Sequence, residues 1–514
     1  MTKLLIPGLT CADVSTPDES GVLVDGRDFY RAVHEACCNA KKSILMSGWQ
    51  FASKVELLRG PDAESCSHPV QFMKLMRELC EKNPTLEVHI LAWDASAVFT
   101  FEREPLQRLM FRWRGHKRVH YKMDNAHPPG ASHHQKLVVV DRSIAFLGGM
   151  DICNSRWDDR CHEATSETRC SGEKPYHPYH DVQAYVTGEQ VDVLRDWFCN
   201  RWERAAGKAL ALPETPQAKI EIHPTFKIEA PCAGLSRTLP RMEDPVCASV
   251  SELFELHLRA ITHAERSIYL ENQYLSSDEI GTALVERMAR GGPPLDIVIM
   301  LPEKSSGFKE RVSVGIYQAR ILERWVTAAK QHGHHLGVYY TAAKGDDGQD
   351  VPVFIHAKVL SVDDRFLLVS SANTTNRSMG FDTELGLAWE SPEPSDSIRN
   401  ARFELLGEHV GVDQAEARSV LALDGLVGRL DAIAQAKSHR LRIHRRNQDE
   451  KPGWLLSKFI PDETPLDPDN PQAMEELLPE PGAWVDRILR DPAVMVRHAA
   501  RRVRSRFTPR RLKA

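Results

Sequence analysis

Apolar and polar positions follow one order of helical and strand spacing up to about residue 210, and then follow it again. Phe29, Val33, Ala36, Cys37 and Ala40 fall on one helical face over residues 29–42, which run into a short strand at 43–46. Phe72, Leu75, Met76 and Leu79 mark a second helix. Residues 86–93 have little polar content, as expected of a strand buried on both faces. Short strands are predicted at 119–122, 137–140, 144–147 and 181–186, then a helix at 191–202. The second half predicts a helix at 253–264, a strand at 267–270, a helix at 280–288, strands at 296–301, 338–341 and 385–389, and a closing helix at 398–406. Strands alternating with helices, twice over, predict an α/β fold. It consists of two similar α/β lobes, each a mixed sheet flanked by helices, related by a pseudo-twofold axis with the active site at their interface. The chain divides into an N-terminal segment (1–26), a first lobe (27–211), a proline-rich linker (212–246), a second lobe (247–410) and a C-terminal extension (411–514). That extension is predicted helical at 415–436, then forms a Pro/Asp/Glu-rich strap and a basic tail.

The repeat carries chemistry. His134-Gln135-Lys136, a four-residue apolar run and Asp141 recur 222 positions later as His356-Ala357-Lys358, a similar run and Asp363. Each copy continues to a small-residue turn, Gly148-Gly149-Met150-Asp151 in the first and Ser370-Ser371-Ala372-Asn373 in the second. A single match to such a pattern is weak, but two with identical downstream spacing imply duplication and joint action. Imidazole is a nucleophile and a base, imidazolium an acid, and lysine and asparagine donate to anionic oxygen. Two converging sets suit a phosphate diester. One histidine forms a covalent phosphohistidine, and the other protonates the leaving alcohol and then activates the second nucleophile. Lys136, Lys358, Asn373 and the turns at Gly149 and Ser371 are the expected phosphate-binding groups. Neither metal nor cofactor is called for, and the chain shows no cysteine or histidine cluster with zinc spacing.

Each histidine needs an acceptor on its second nitrogen. The motif's own aspartates, Asp141 and Asp363, fall roughly 20 Å away along a strand and are read as structural. Better placed are Asp181 and Glu384, which open the next long strands, so His134 is expected to pair with Asp181 and His356 with Glu384. The first half carries about nineteen extra residues in the polar loop 158–178, which is expected to be exposed and to cover or shape the site. His133 and His180 are weaker candidates for the pocket. Trp49, Trp157 and Tyr274 are candidates for holding a quaternary ammonium head group, with core packing the plainer reading.

These residues, with Arg156-Trp157-Asp158, Pro178-Tyr179-His180-Asp181, Arg201-Trp202 and Glu271-Asn272-Gln273-Tyr274, resemble the phospholipase D superfamily over about residues 25–410. The branch is the one containing eukaryotic-type phospholipases D and their bacterial relatives. The resemblance implies His134 as nucleophile, His356 as acid and base, and Asp181 and Glu384 as the orienting carboxylates. It implies hydrolysis of a glycerophospholipid, with phosphatidyl transfer (cardiolipin or phosphatidylserine synthesis) as the alternative. A nuclease and a non-enzymatic lipid-binding scaffold are the more distant readings. Ser370 stands where the family usually has glycine, and Asp151, an anion, is given no phosphate-binding role.

Charge and cysteine content adjust this picture. A net charge of −5 provides no field for nucleic acid, and no nucleic-acid partner is expected. Residues 487–513 hold ten Lys or Arg against one acid and read as a weak basic amphipathic helix suited to anionic membrane. No apolar run has the length of a membrane span, and the N-terminus lacks the apolar stretch of a secretion signal. The eleven cysteines read mostly as free thiols, with Cys161 and Cys170 flanking one loop closely enough to pair. A cytoplasmic monomer in peripheral contact with membrane is expected.

Overall fold

The computed structural model describes residues 3–94, 110–111, 114–128, 130–172, 174–213, 215, 217–243, 246–304 and 315–444. Two mixed sheets form the frame. In the first, Leu137–Val140 is central, between Ile144–Gly148 and Ser43–Gly48. Beyond Ser43–Gly48 lie Glu87–Trp93 and Val119–Asp124, both parallel to it. Beyond Ile144–Gly148 lie Val182–Val186 and Ser20–Val24. The second sheet repeats this order. Val359–Val362 lies between Phe366–Ser370 and Ser267–Glu271, with Asp296–Met300 and His335–Lys344 on one side and Glu384–Glu390 and Cys232–Leu239 on the other.

The motif strands lack polar alternation because both of their faces are covered. Leu137 and Val139 join an apolar cluster between the sheets, together with Val359, Leu367, Leu385 and Trp389 of the second lobe. Val138 and Val140 face the first lobe's outer helices, Asp25–Cys38 and Phe72–Lys82, and Leu360 and Val362 face Glu252–Thr262 and Asp278–Ala289. Burial of the strand on both sides fixes its register, because a one-residue slip would exchange the two apolar sets.

Two stretches set outside the lobes on sequence carry sheet strands instead. The N-terminal segment supplies Ser20–Val24 to the first sheet and Asp13–Ser15 to the second, antiparallel to Cys232–Leu239. Cys232–Leu239 lies within the stretch read as linker and pairs along its length with Glu384–Glu390. Turn formers and prolines flank these strands and hide them from a periodicity reading. The extension after residue 411 forms helices Gln414–Val420 and Leu426–Ala436, and a strand, Leu441–Ile443, on the edge of His335–Lys344. The strap and the basic tail lie outside the described residues. All eleven cysteines are free thiols, Cys161 and Cys170 included. Among the described residues no helix is long and apolar enough to cross a membrane.

Candidate active site at the lobe interface

Two short backbone bridges between the lobes build the site. Tyr179–His180 pairs in parallel with Phe354–Ile355, and the His356 amide donates to the His180 carbonyl at 2.8 Å. At the pseudo-symmetric position His133 bridges Thr383, and the His134 amide donates to the Thr383 carbonyl at 3.0 Å. Each motif histidine is thereby set beside the carboxylate of the opposite lobe. His134 Nδ1 lies 3.0 Å from Glu384 Oε2, and His356 Nδ1 lies 2.7 Å from Asp181 Oδ2. The expected pairing of His134 with Asp181 and His356 with Glu384 is therefore corrected: the partners are exchanged. Within one lobe the histidine strand and the carboxylate strand are separated by an intervening strand, a gap of roughly 10 Å that one imidazole does not span.

Both carboxylates are fully buried, whereas His134 and His356 keep 19% and 11% of their side chains exposed. With Nδ1 engaged, Nε2 is the ring atom left for substrate. Burial first, then Lys358, holds His356 well below the usual imidazole range. Burial raises the Asp181 carboxyl to about 6 against the pull of Lys358. Lys358 is fully enclosed, and desolvation brings its ammonium down to about 7 although Asp181 favours the charged form. Its Nζ lies 3.3 Å from Gln273 Oε1 and 3.1 Å from His356 Nδ1. Lys136 Nζ donates to the His134 carbonyl at 2.8 Å and lies 3.4 Å from Asp151.

The turns do different work from that expected of them. Ser371, read as a phosphate ligand, is fully buried, and its hydroxyl donates to Glu384. A side chain at Gly149, the other expected phosphate group, would meet Asp181 Oδ1 at 2.3 Å, so this glycine makes room for the carboxylate. Both positions support the orienting carboxylates from behind. Ser370 ends its strand with negative φ, which accounts for the absence of glycine there. Asn373 is buried, and its amide oxygen has no hydrogen-bond partner. Turning the amide over presents its NH2 instead. Asp151, its counterpart, accepts the Trp49 amide at 2.8 Å. Asp141 accepts the amides of Lys41, Lys42 and Ser43 at 2.7–2.8 Å, and Asp363 those of Glu265, Arg266 and Ser267. Both lie at the far end of the motif strand.

Sequence reasoning missed Arg156 as a member of this site. Its guanidinium stands 5.0 Å from the Tyr179 ring, and that ring stands 5.5 Å from the His356 ring. Trp157 is core, beneath the Arg59 guanidinium. Trp49 packs against Trp93 with ring centroids 5.4 Å apart, and Tyr274 is half-buried.

Behind Asp181 lies a second cluster that the sequence did not disclose. His180 is fully buried, with Nε2 2.9 Å from Glu271 and Nδ1 2.9 Å from Glu408 and 3.0 Å from Asp25. His162 places Nε2 3.1 Å from Glu408 and Nδ1 3.0 Å from Asp158. Burial opposes charge on His162, yet Asp25, Asp158 and Glu408 lift it to about 9. The loop 158–178 is thus anchored rather than exposed throughout: Asp158, His162 and Arg169 are all buried. Ligand atoms of Asp25, His162, His180 and Glu408 lie within 4.8 Å of one another, and a carboxylate backs each imidazole, a donor set that could hold a divalent cation. Its members come from four separate segments, so no local spacing announces them.

Two α/β lobes, with a histidine and a lysine from each meeting at their interface, define the class. The family "Phospholipase D" matches residues 36–230, and "Cardiolipin synthase, PLD-like domain" matches residues 257–404. The chain belongs to the phospholipase D superfamily. It is similar to phospholipase D A of Dictyostelium discoideum, at 22% identity over 76% of this chain and 35% of that protein. It is similar also to phospholipase D1 of Saccharomyces cerevisiae, at 23% identity over 78% and 29%. Phospholipase D alpha 1 of Oryza sativa subsp. japonica is 22% identical over 85% and 70%. The chain spans about a third of the length of the first two relatives. Its fold resembles a crystal structure of phosphatidylserine synthase from Haemophilus influenzae, with a TM-score of 0.52 at 13% identity over 83% of this chain and 95% of that one.

Proposed function

We propose that this chain is a phospholipase D-type phosphodiesterase that hydrolyses a glycerophospholipid to phosphatidic acid and a head-group alcohol. The observation that supports it is the pair of partly exposed imidazoles, each with Nδ1 on a carboxylate of the opposite lobe and each followed two residues later by a lysine. His134 Nε2 forms an N–P bond as the P–O bond to the head-group alcohol breaks, and His356 Nε2 gives that oxygen its proton. Water then passes a proton to His356 and attacks phosphorus. The N–P bond breaks, freeing His134 and phosphatidic acid. The low proton affinity of His356 makes its imidazolium a ready donor to the departing oxygen. Lys136, Lys358 and Asn373 neutralise the non-bridging oxygens as charge develops.

Phosphatidyl transfer is the second reading. It is favoured by the second-half match to a cardiolipin synthase domain and by the likeness to a phosphatidylserine synthase fold. The chemistry is shared, and the acceptor is an alcohol in place of water. The purified chain, given a panel of phospholipids with and without ethanol, should yield phosphatidic acid that becomes phosphatidylethanol when ethanol is present. Product only when a lipid alcohol is supplied would move the assignment to transferase. Cleavage of a nucleotide diester with no lipid turnover would reject both. Peripheral membrane contact belongs to the same proposal: removing residues 486–514 should weaken binding to anionic liposomes and leave turnover of a short-chain soluble substrate unchanged.

A further inference from the structure

Two imidazole nitrogens behind Asp181 converge on the same pair of carboxylates. His180 Nδ1 lies 2.9 Å from Glu408 Oε1 and 3.0 Å from Asp25 Oδ1. His162 Nε2 lies 3.1 Å from the same Glu408 oxygen and 3.3 Å from Asp25 Oδ2. Each nitrogen carries at most one hydrogen, and one hydrogen does not serve two carboxylates at full strength. The shortfall falls on Asp25. Its Oδ1 accepts the Asp181 amide at 3.2 Å, but its Oδ2 is buried without a hydrogen-bond partner. Asp25 is fully enclosed, and a carboxylate oxygen left so is unfavourable and rare. That oxygen points into the group, toward His162 Nε2, without making a hydrogen bond to it.

These spacings are those of ligands about a metal ion. Bonds of ~2.1 Å from a divalent cation to nitrogen and oxygen place neighbouring ligand atoms roughly 3.0–3.4 Å apart. One ligand atom from each of Asp25, His162, His180 and Glu408 lies within 4.8 Å of the other three, and all four residues are buried. The outer partners fit as well. His162 Nδ1 is 3.0 Å from Asp158 Oδ2, and His180 Nε2 is 2.9 Å from Glu271 Oε2. A carboxylate therefore holds the far nitrogen of each ring and sets its tautomer. Arg160 takes Glu408 Oε2 and leaves Oε1 for the centre. Charge is conserved in the exchange. One divalent ion with two neutral imidazoles replaces two imidazoliums whose rings stand 5.7 Å apart.

We propose that Asp25, His162, His180 and Glu408 bind one zinc-class divalent cation in a structural site. Two nitrogens among the ligands favour such an ion over calcium or magnesium, which take oxygen. The site is separate from the reacting groups, because it stands behind Asp181, which faces His356. It joins the start of helix Asp25–Cys38, the loop 158–178, the inter-lobe bridge at His180 and helix Asp396–Val410. One ion thus staples both halves of the chain beside that bridge. Among the described residues, Glu87, His89 and His120 form another group, but it offers only three ligands and includes the exposed His120.

Elemental analysis of the full chain, purified without chelator, tests this with zinc as the probe. About one zinc per chain should remain after gel filtration. After removal by dipicolinate, calorimetric titration with zinc should show one-to-one binding that releases up to about two protons, read from the dependence of the heat on the buffer. Zinc should also raise the melting temperature by about 5 °C or more, and calcium and magnesium should not. His162→Gln should weaken zinc binding about a hundredfold or more, and Asp158→Asn, one step out from the ion, about tenfold or more. His120→Gln should leave the affinity unchanged. A wild-type chain that holds no zinc and takes none up would overturn the proposal whatever the variants do, and would leave two imidazoliums in the cluster. Zinc lost from His120→Gln and kept by His162→Gln, or stabilisation by calcium or magnesium alone, would reject it as well.

Discussion

On the proposed mechanism Lys358 and His356 together set the alkaline side of the site's pH range. Enclosure removes water from the Lys358 ammonium and brings it down to about 7 against the attraction of Asp181. On the proposed mechanism the phosphate-binding form is the protonated one, present below that value and lost above it. His356 must also carry a proton to act as acid and is held lower still, so kcat/KM should fall about tenfold per pH unit above the His356 value and about a hundredfold per unit above roughly pH 7. Lys358→Arg, whose guanidinium keeps its charge, should reduce the steeper fall above pH 7 to about tenfold per unit, even though its altered reach lowers the maximum. An unchanged alkaline limb in Lys358→Arg would assign the titration to another group. Asp141 makes the opposite kind of contribution. It sits at φ 54° with three backbone amides on its carboxylate, so it closes a turn far from the reacting phosphate. Asp141→Ala should cost about 3 kcal/mol in denaturant unfolding, and Asp141→Asn, which keeps an acceptor and tolerates this backbone, about 1 kcal/mol. Turnover per folded molecule should stay within about threefold of wild type in both.

The exchange of carboxylates between lobes is a property of elements, and it gives each half a distinguishable job. Glu384 fixes the tautomer of His134, and Asp181 that of His356. Glu384→Gln should slow formation of the phosphohistidine, and Asp181→Asn should slow leaving-group departure and hydrolysis, each lowering kcat about a hundredfold or more. With a substrate whose alcohol leaves without protonation, such as a nitrophenyl ester, Asp181→Asn should regain most of the first step while Glu384→Gln should not. The reverse pattern would restore the within-lobe pairing. The same elements show where the sequence was readable. Strands 137–140 and 359–362 stood out because apolar clusters cover both of their faces, and the duplicated spacing alone was enough to group His134, Lys136, His356 and Lys358. The exchanged pairing did not show, because it depends on a two-residue bridge, Tyr179–His180 with Phe354–Ile355, and a one-residue bridge, His133 with Thr383, both too short to leave a periodic signal. Ser371 and Gly149 were placed at the right turns, but their contacts with Glu384 and Asp181 did not show, since a motif gives position along a strand and not which neighbour a hydroxyl meets.

At the scale of the whole molecule the lobes are interleaved and not merely docked. Asp13–Ser15 belongs to the N-terminal segment but adds an edge to the second sheet, and the amides of Leu4 and Leu5 both donate to Glu390. Arg160 of the first half holds Glu404 and Glu408 of the second, and buried His180 of the first half meets Glu271 of the second on Nε2 and Glu408 of the second, with Asp25, on Nδ1. The apolar cluster between the sheets is shared by both halves. A reading into two domains with a linker suggests that a cut in that linker would release two bodies. The pairing pattern says otherwise, because every one of these contacts lies away from the exposed, irregular stretch after Gly207. Limited proteolysis near residues 208–213 should therefore give two fragments that elute together in native size-exclusion chromatography and retain most of the turnover. They should separate only in denaturant, where exposure of the shared core and loss of the edge strand remove the contacts together. Fragments that part under native conditions would show that the inter-lobe contacts, the active-site bridges among them, need an intact chain to hold.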